Sequence, residues 1–305
     1  MTASAEVEAQ AKVNLRLRVL ARETSGFHQL ETLFLRTALS DTVRVRRTTS
    51  ARSLDVSGVA DPASLGAPAQ NLAWRAAEAW LGAADARGGF AIELEKRIPV
   101  GGGLGGGSAD AGAVLRVMDA LSPTPLGEPA LLRIATSLGA DVPFLTSTQP
   151  YALAWGRGER MLALPAPEVR PLLLLVPSFG VNTANAFGWL AAARDGAAAR
   201  ALDGEMLALA ALSDWEAIRA VASNDFEPVV GVRHPVVASL VAWLREAGCG
   251  VAMMSGSGSV VFGVCSREAV PVVERARAEL RGTFAGVRLV ETSTADRVEP
   301  VRMLD

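Results

Sequence analysis

The spacing of apolar positions divides the chain into strands and amphipathic helices. Residues 13–19 alternate apolar and polar side chains and predict a half-buried strand. Residues 32–37 and 42–47 predict two more, split by a turn at Ser40-Asp41. Residues 71–81 predict a helix with Leu72, Ala76, Ala79 and Trp80 on one side, and 90–94 a short strand. After a glycine-rich stretch, Val114, Leu115, Met118 and Leu121 recur at helical spacing over 108–121, with Ser108 placed as the N-cap. A helix over 129–138 stops at Gly139.

The second half begins with a buried strand at 172–176, flanked by Pro171 and Pro177. Helices are predicted over 183–193, 205–212, 214–222 and 236–247. Strands at 251–254 and 260–264 flank a small-residue turn, SGSGS, at 255–259. A helix over 267–280 and a strand over 286–291 follow. The Ala-rich, charged stretch 191–204 reads as a surface helix or loop insert. The proline-rich 165–171 is the best boundary, so the expectation is an α+β protein of two domains, 1–167 and 168–305.

Composition narrows the function classes. A hydrophobic share of 50% and a charged share of 20% are ordinary for a globular chain. A net charge of -2 argues against a broad footprint for nucleic acid or anionic membrane. No apolar run approaches the roughly 20 residues of a spanning helix. The acidic N-terminal residues lack the apolar segment of a signal peptide, so a cytoplasmic setting is expected. Cys249 and Cys265 lie far from metal-ligand spacing and read as small buried hydrophobes in a reducing compartment. Among 30 Lys and Arg residues, only Lys12 and Lys96 are lysine. Where arginine serves elsewhere, a retained lysine marks a place for a compact, rotatable ammonium.

The chemistry concentrates in PVGGGLGGGSA: Pro99, Val100, Gly101, Gly102, Gly103, Leu104, Gly105, Gly106, Gly107, Ser108 and Ala109. Each glycine in regular structure costs roughly 0.5–1 kcal/mol against alanine, so six forfeit about 3–6 kcal/mol. That is large beside a net stability of about 5–15 kcal/mol. A chain carries such a cost where φ must be positive or a ligand must touch the backbone. Free N–H groups in the loop and at the following helix start then make an anion site. No Gly-Lys-Ser/Thr follows, which excludes a Walker A loop, and the dinucleotide fingerprint lacks its βαβ setting. Asp110 suits the helix dipole but would repel a phosphate, so it is assigned no direct contact.

This loop resembles the ATP loop of the kinases named after galactose, homoserine, mevalonate and phosphomevalonate. AKVNLRLRV at 11–19, GFHQLETLF at 26–34 and LGADVPF at 138–144 narrow the resemblance to the 4-diphosphocytidyl-2-C-methyl-D-erythritol kinases. Weaker agreement continues through GRGE at 156–159, SNDFE at 223–227 and the SGSGS turn. The resemblance implies an N-terminal β/α ATP-binding domain and a C-terminal ferredoxin-like α/β domain. It implies ATP with Mg²⁺, a small cytidine diphosphate-linked methylerythritol substrate, neither nucleic acid nor membrane, and a monomer or homodimer. The implied reaction is phosphorylation of the substrate's 2-hydroxyl, in isoprenoid precursor synthesis by the non-mevalonate route. The alternatives are another small-molecule kinase of the superfamily, or an ATP-binding sensor without chemistry.

Residue roles follow from the same resemblance. Asp141 is the expected general base, on a stiff loop, and Lys12 its cationic partner at the transferring phosphate. Asn14, on the same strand face, orients Lys12 or the substrate. Phe27 and His28 meet the cytosine, with Phe187 as the opposite stacking face. Lys96, Asn71 and Leu72 lie near the nucleotide base. Ser108 touches phosphate or Mg²⁺. One departure stands out: Ser25-Gly26-Phe27-His28 replaces the usual Asp-Gly-Tyr-His, and the spacing from Arg22 is one residue longer. Phenylalanine keeps a stacking face but loses the hydroxyl.

Overall fold

The computed structural model of the chain describes residues 3–24, 26, 28–59, 66–194, 207–266 and 270–305. Two long antiparallel strands, β1 (Ser4–Arg22) and β2 (His28–Thr48), form the spine of the first sheet. β3 (Arg52–Ser57) and β4 (Gly89–Glu95) extend it on one side; β5 (Tyr151–Gly156) and β6 (Arg160–Ala163) pair with the opposite end of β2. Four helices accompany this sheet: α1 (Leu72–Ala83), α2 (Gly106–Ala120), α3 (Glu128–Leu138) and the one-turn α4 (Val142–Thr146). Asn71 caps α1 by accepting the N–H of Ala73.

The second sheet begins with β7 (Pro171–Val176). The chain then crosses through α5 (Thr183–Arg194), α6 (Trp215–Val221), the two-residue β8 (Ser223–Asn224), α7 (Phe226–Arg233) and α8 (Pro235–Glu246). It continues with β9 (Val251–Met254), β10 (Val261–Val264), α9 (Val270–Thr283) and β11 (Arg288–Ser293). The sheet order is β11-β7-β10-β9 with antiparallel neighbours. This is the ferredoxin-like βαββαβ arrangement that the resemblance implied. The two halves are stitched together: β8 runs beside β1, and a terminal strand, β12 (Arg302–Leu304), pairs with the start of β1.

Several expectations change. β1 is buried without a break from Ala9 to Leu17, because both of its faces are covered. The polar members of its alternation, Lys12, Asn14 and Arg16, therefore point into protein rather than water. No turn separates two strands at Ser40-Asp41. β2 runs through, and the ladder absorbs the irregularity as a register shift between Gln10 and Lys12. Asp41 is fully buried and bound to backbone and lysine donors, so it is a core residue. Ser108 is not the cap of α2. The helix starts two residues earlier, after Gly105 in the left-handed region at φ 73°.

In the predicted helix 205–212, the described part is a 3₁₀ turn at Leu209–Leu212, and 205–206 lie outside the described residues. Of the stretch 191–204, residues 191–194 finish α5 and the rest lies outside them too. So do 267–269 of the predicted 267–280 helix. Cys249 and Cys265 are buried free thiols with sulfurs 3.0 Å apart. Among the described residues, no helix is long and apolar enough to cross a membrane.

Candidate active site

The glycine loop takes the conformations that require glycine. Gly101, Gly103 and Gly105 sit at φ 72°, 84° and 73°. A Cβ on Gly103 would stand 2.1 Å from the carbonyl oxygen of Ser255. The loop leads into α2, whose first N–H groups have no intrahelical acceptor. Pro99 to Ser108 enclose, with Asn71, Leu72, Lys96 and Ile98, a cavity of about 330 Å³. Ala109 lies behind it, buried in the core.

Both stems of this loop are tied by one buried ammonium. Lys96 Nζ donates to Asp110 Oδ2 at 2.5 Å and to Asp41. The other oxygen of Asp41 accepts the N–H groups of Arg97 (2.5 Å) and Ile98 (2.8 Å), just ahead of the glycines. Burial pushes the Asp110 carboxyl up to about 7 against the pull of Lys96. Burial alone would lower Lys96, but Asp110 and Asp41 together outweigh it and raise it. Asp110 Oδ1 has no hydrogen-bond partner. Lys96 thus reaches the cavity wall expected of it, but its charge is committed to two carboxylates beneath the loop. A buried aspartate pair was invisible in sequence because Asp41 read as a turn residue.

Lys12 lies at the heart of the second constellation. Its Nζ stands 3.3 Å from Asp141 Oδ2 and donates to Asn14 Oδ1 (2.6 Å) and the Gly103 carbonyl (3.0 Å). Asn14 Nδ2 donates to Thr32 Oγ1 at 2.7 Å, and Thr32 donates to the Arg16 carbonyl at 2.8 Å. This relay holds the Asn14 amide with its oxygen toward the lysine. Thr32 was missed in sequence, where a strand threonine carries no signal. Lys12 is 2% exposed, whereas the Asp141 side chain is 31% exposed. Asp141 ends the short turn between α3 and α4 and is the N-cap residue of α4, with Pro143 in the first turn.

These groups line a central cavity of about 350 Å³. It shares Gly103, Gly105 and Ser108 with the loop cavity. The SGSGS turn closes it from the second half. Ser255 Oγ donates to the Gly103 carbonyl (2.9 Å), and the Val260 N–H to that of Gly102 (3.1 Å). Asn224 Nδ2 holds the turn through the carbonyls of Met254 and Gly256, both at 2.8 Å.

A larger cavity, about 980 Å³, adjoins on the far side and shares Leu30, Ala140, Arg157 and Phe187 with the central one. Its wall includes His28, whose ring stacks on Phe187 at 4.2 Å and 14°. Rings in contact leave no slot between them. His28 and Phe187 thus form one joined platform, with Phe226 edge to face against Phe187 at 4.9 Å; the ring expected to stack across a base from Phe187 is Phe27. Phe27 lies outside the described residues. Burial first, then Arg22 and Arg194, lowers the His28 pKa, so the imidazole is neutral at pH 7.

A carboxylate beside an ammonium, between an anion-binding loop and a roomy second cavity, is suited to moving a phosphoryl group onto an alcohol. Residues 71–149 match the model of the GHMP kinases N terminal domain, and 206–281 that of the GHMP kinases C terminal. The 4-diphosphocytidyl-2-C-methyl-D-erythritol kinase of Solibacter usitatus (strain Ellin6076) is 38% identical over 268 residues, 86% of this chain and 82% of the relative. That of Bordetella bronchiseptica is 37% identical over 309 residues, 97% of each chain. The chain belongs to the 4-diphosphocytidyl-2-C-methyl-D-erythritol kinase family.

A crystal structure of a 4-(cytidine 5'-diphospho)-2C-methyl-D-erythritol kinase superposes with TM-score 0.75 at 34% identity, covering 95% of this chain and 99% of that one. Homoserine kinase from Cytophaga hutchinsonii, 17% identical, superposes with TM-score 0.71 over 99% of this chain and 97% of its own, which speaks to the shared fold. Like the rest of its family, the chain is an ATP-dependent phosphotransferase acting on a small molecule.

Proposed function

We propose that this kinase transfers the γ-phosphoryl group of ATP to the 2-hydroxyl of 4-diphosphocytidyl-2-C-methyl-D-erythritol, in isoprenoid precursor synthesis by the non-mevalonate pathway. The observation that carries this reading is the Lys12–Asp141 pair, 3.3 Å apart in the cavity that joins the glycine loop to the His28–Phe187 platform. ATP lies with its base toward Asn71 and Lys96 and its phosphates along Pro99–Ser108. The cytosine lies in the larger cavity, with neutral His28 hydrogen-bonding its edge. The substrate hydroxyl then meets Asp141, which accepts its proton as the oxygen attacks phosphorus. Lys12 stabilises the charge spread over the equatorial oxygens in the transition state.

Mg²⁺ belongs with the nucleotide. The hydroxyl of Ser108 and the carboxylate of Asp141 face the same cavity, and such hard oxygen donors suit an ion that keeps most of its ligands from phosphate and water. Bound there, it would neutralise phosphate charge. The ATP-binding domain is taken as 1–167 and the substrate-cleft domain as 168–305, acting in the cytoplasm as a monomer or homodimer. The net charge of -2 argues against a broad footprint for nucleic acid or anionic membrane.

The test is ADP release with 4-diphosphocytidyl-2-C-methyl-D-erythritol. Turnover with homoserine or mevalonate but not with this alcohol refutes the assignment. Asp141→Asn should lower turnover roughly 10²–10⁴-fold with ATP binding retained, the usual worth of a general base. Near-normal turnover removes that role.

A further inference from the structure

Among the described residues, Arg36 is a fully buried cation whose hydrogen bonds go to neutral carbonyls. It is 1% exposed, and its guanidinium donates to three carbonyls: Gln149 (3.1 Å), Phe144 (2.9 Å) and Ser147 (2.9 Å). It also lies over the Phe144 ring, 5.1 Å from its centre. Burying a cation among neutral groups is costly, and the cost is offset only where all its donors are satisfied in a rigid setting. Burial, and secondarily Arg116, lowers its pKa to about 9, which still leaves it charged at neutral pH.

The position of those carbonyls gives the charge a use. Phe144 and Ser147 are the last turn and C-cap of α4, whose N-cap is Asp141. A cation there satisfies terminal carbonyls and complements the helix dipole. At the other end, Lys12 holds the Asp141 carboxylate. Lys12 and Arg36 are direct cross-strand partners in the β1–β2 ladder and so share a sheet face. Two residues along each strand, Asn14 faces Phe34, which stacks on Phe144 at 4.9 Å. One rung of the sheet thus grips a five-residue helix by both ends.

We propose that Arg36 is a positioning residue for the phosphoryl-transfer step, setting the place of the Asp141 carboxylate against Lys12 through α4. This rests on the reading of Asp141 as the base. Arg36 lines none of the three cavities described above.

The experiment is a double-mutant cycle in the full-length enzyme: Arg36→Met, Asp141→Asn and the pair, each with kcat and both KM values. Arg36→Met should lower kcat by roughly 10–100-fold, the scale of a reacting group misplaced by about 1 Å, with the KM for ATP unchanged. In the Asp141→Asn background the same change should cost less than about twofold, because no base remains to misplace. A purely structural role would cost the same in both backgrounds, and that result overturns the proposal. If Arg36→Met does not fold, Arg36→Lys carries the same cycle. Its single ammonium cannot serve three carbonyls at guanidinium geometry, so kcat should fall several-fold beside Asp141 and not beside Asn. Equal loss in both, or none in either, refutes it. Near-wild-type turnover of Asp141→Asn alone is a separate outcome, which fails the base assignment itself.

Discussion

Replacing Lys96 with methionine removes a buried cation while keeping the length of its stem. The perturbation leaves Asp41 and Asp110 facing each other with their side chains 0% and 3% exposed. Breaking a buried ion pair by deleting one partner costs about 3–5 kcal/mol. Two features of the site place Lys96→Met at the lower end. Asp41 keeps its bonds from the N–H groups of Arg97 and Ile98. Asp110, already raised to about 7, escapes by taking up a proton.

A loss of about 3 kcal/mol corresponds to a melting temperature lower by ~6–12 °C, at 2–4 °C per kcal/mol for a domain of this size. The deficit should shrink at pH 5.5, where Asp110 carries a proton even beside Lys96, and grow at pH 8. The KM for ATP should rise as well, since the stems of the glycine loop lose their common tie, while the KM for the alcohol stays close to wild type. Thermal melts by circular dichroism at the two pH values, with steady-state kinetics in both substrates, read all of this. A variant that melts within 2 °C of the wild type at pH 8, with an unchanged KM for ATP, refutes the claim that this ammonium pins the loop.

Two more predictions separate neighbouring causes. Gly103→Ala meets both a left-handed backbone and the Ser255 carbonyl at 2.1 Å, whereas Gly101→Ala meets open space. The second should cost only the ~1–2 kcal/mol of a non-glycine residue at positive φ, and the first far more, with ATP turnover lost; equal effects in melts and kinetics would remove the role of the SGSGS contact. The His28 pKa lies below its ordinary value of about 6.5, so the fold penalises its protonation and the penalty appears as pH falls. The KM for the cytidylyl substrate should therefore rise as pH falls below the ordinary histidine value and be flat in His28→Asn, whereas the same slope in that variant would assign it to another group.

What the sequence revealed and what it hid divide along physical lines. The glycine loop, Lys12 and Asp141 were legible because their patterns depend on local backbone geometry and on chemistry repeated across a family. The βαββαβ half was legible only through the resemblance, since periodicity located its strands but not their order. Asp41 was misread because Ser-Asp favours turns in isolation. Here a lysine 55 residues away and two backbone donors supply what a turn would have supplied. Ser108 was misread as a cap because a serine cap is the commoner solution, but Gly105 starts the helix from a left-handed conformation that glycine adopts without strain.

The polar residues of β1 give the deeper reason for these misses. A strand that alternates Lys12, Asn14 and Arg16 with Val13 and Leu15 predicts one wet face, and single-sequence reasoning has no means to tell water from a second layer of protein. In the fold that second layer is the site. Lys12 meets Asp141 and the Gly103 carbonyl, and Asn14 meets Thr32. Arg16 meets Glu31 at 2.7 Å and the Val221 carbonyl at 2.8 Å, which carries the strand's grip into the other half. Each of these groups is buried at a cost that only a partner offsets, so the partners had to be found together with the strand. The same logic makes Arg36 informative: a buried arginine beside carbonyls alone is stable only if the backbone that offers them is held still, and a backbone held still is what the Asp141 carboxylate needs.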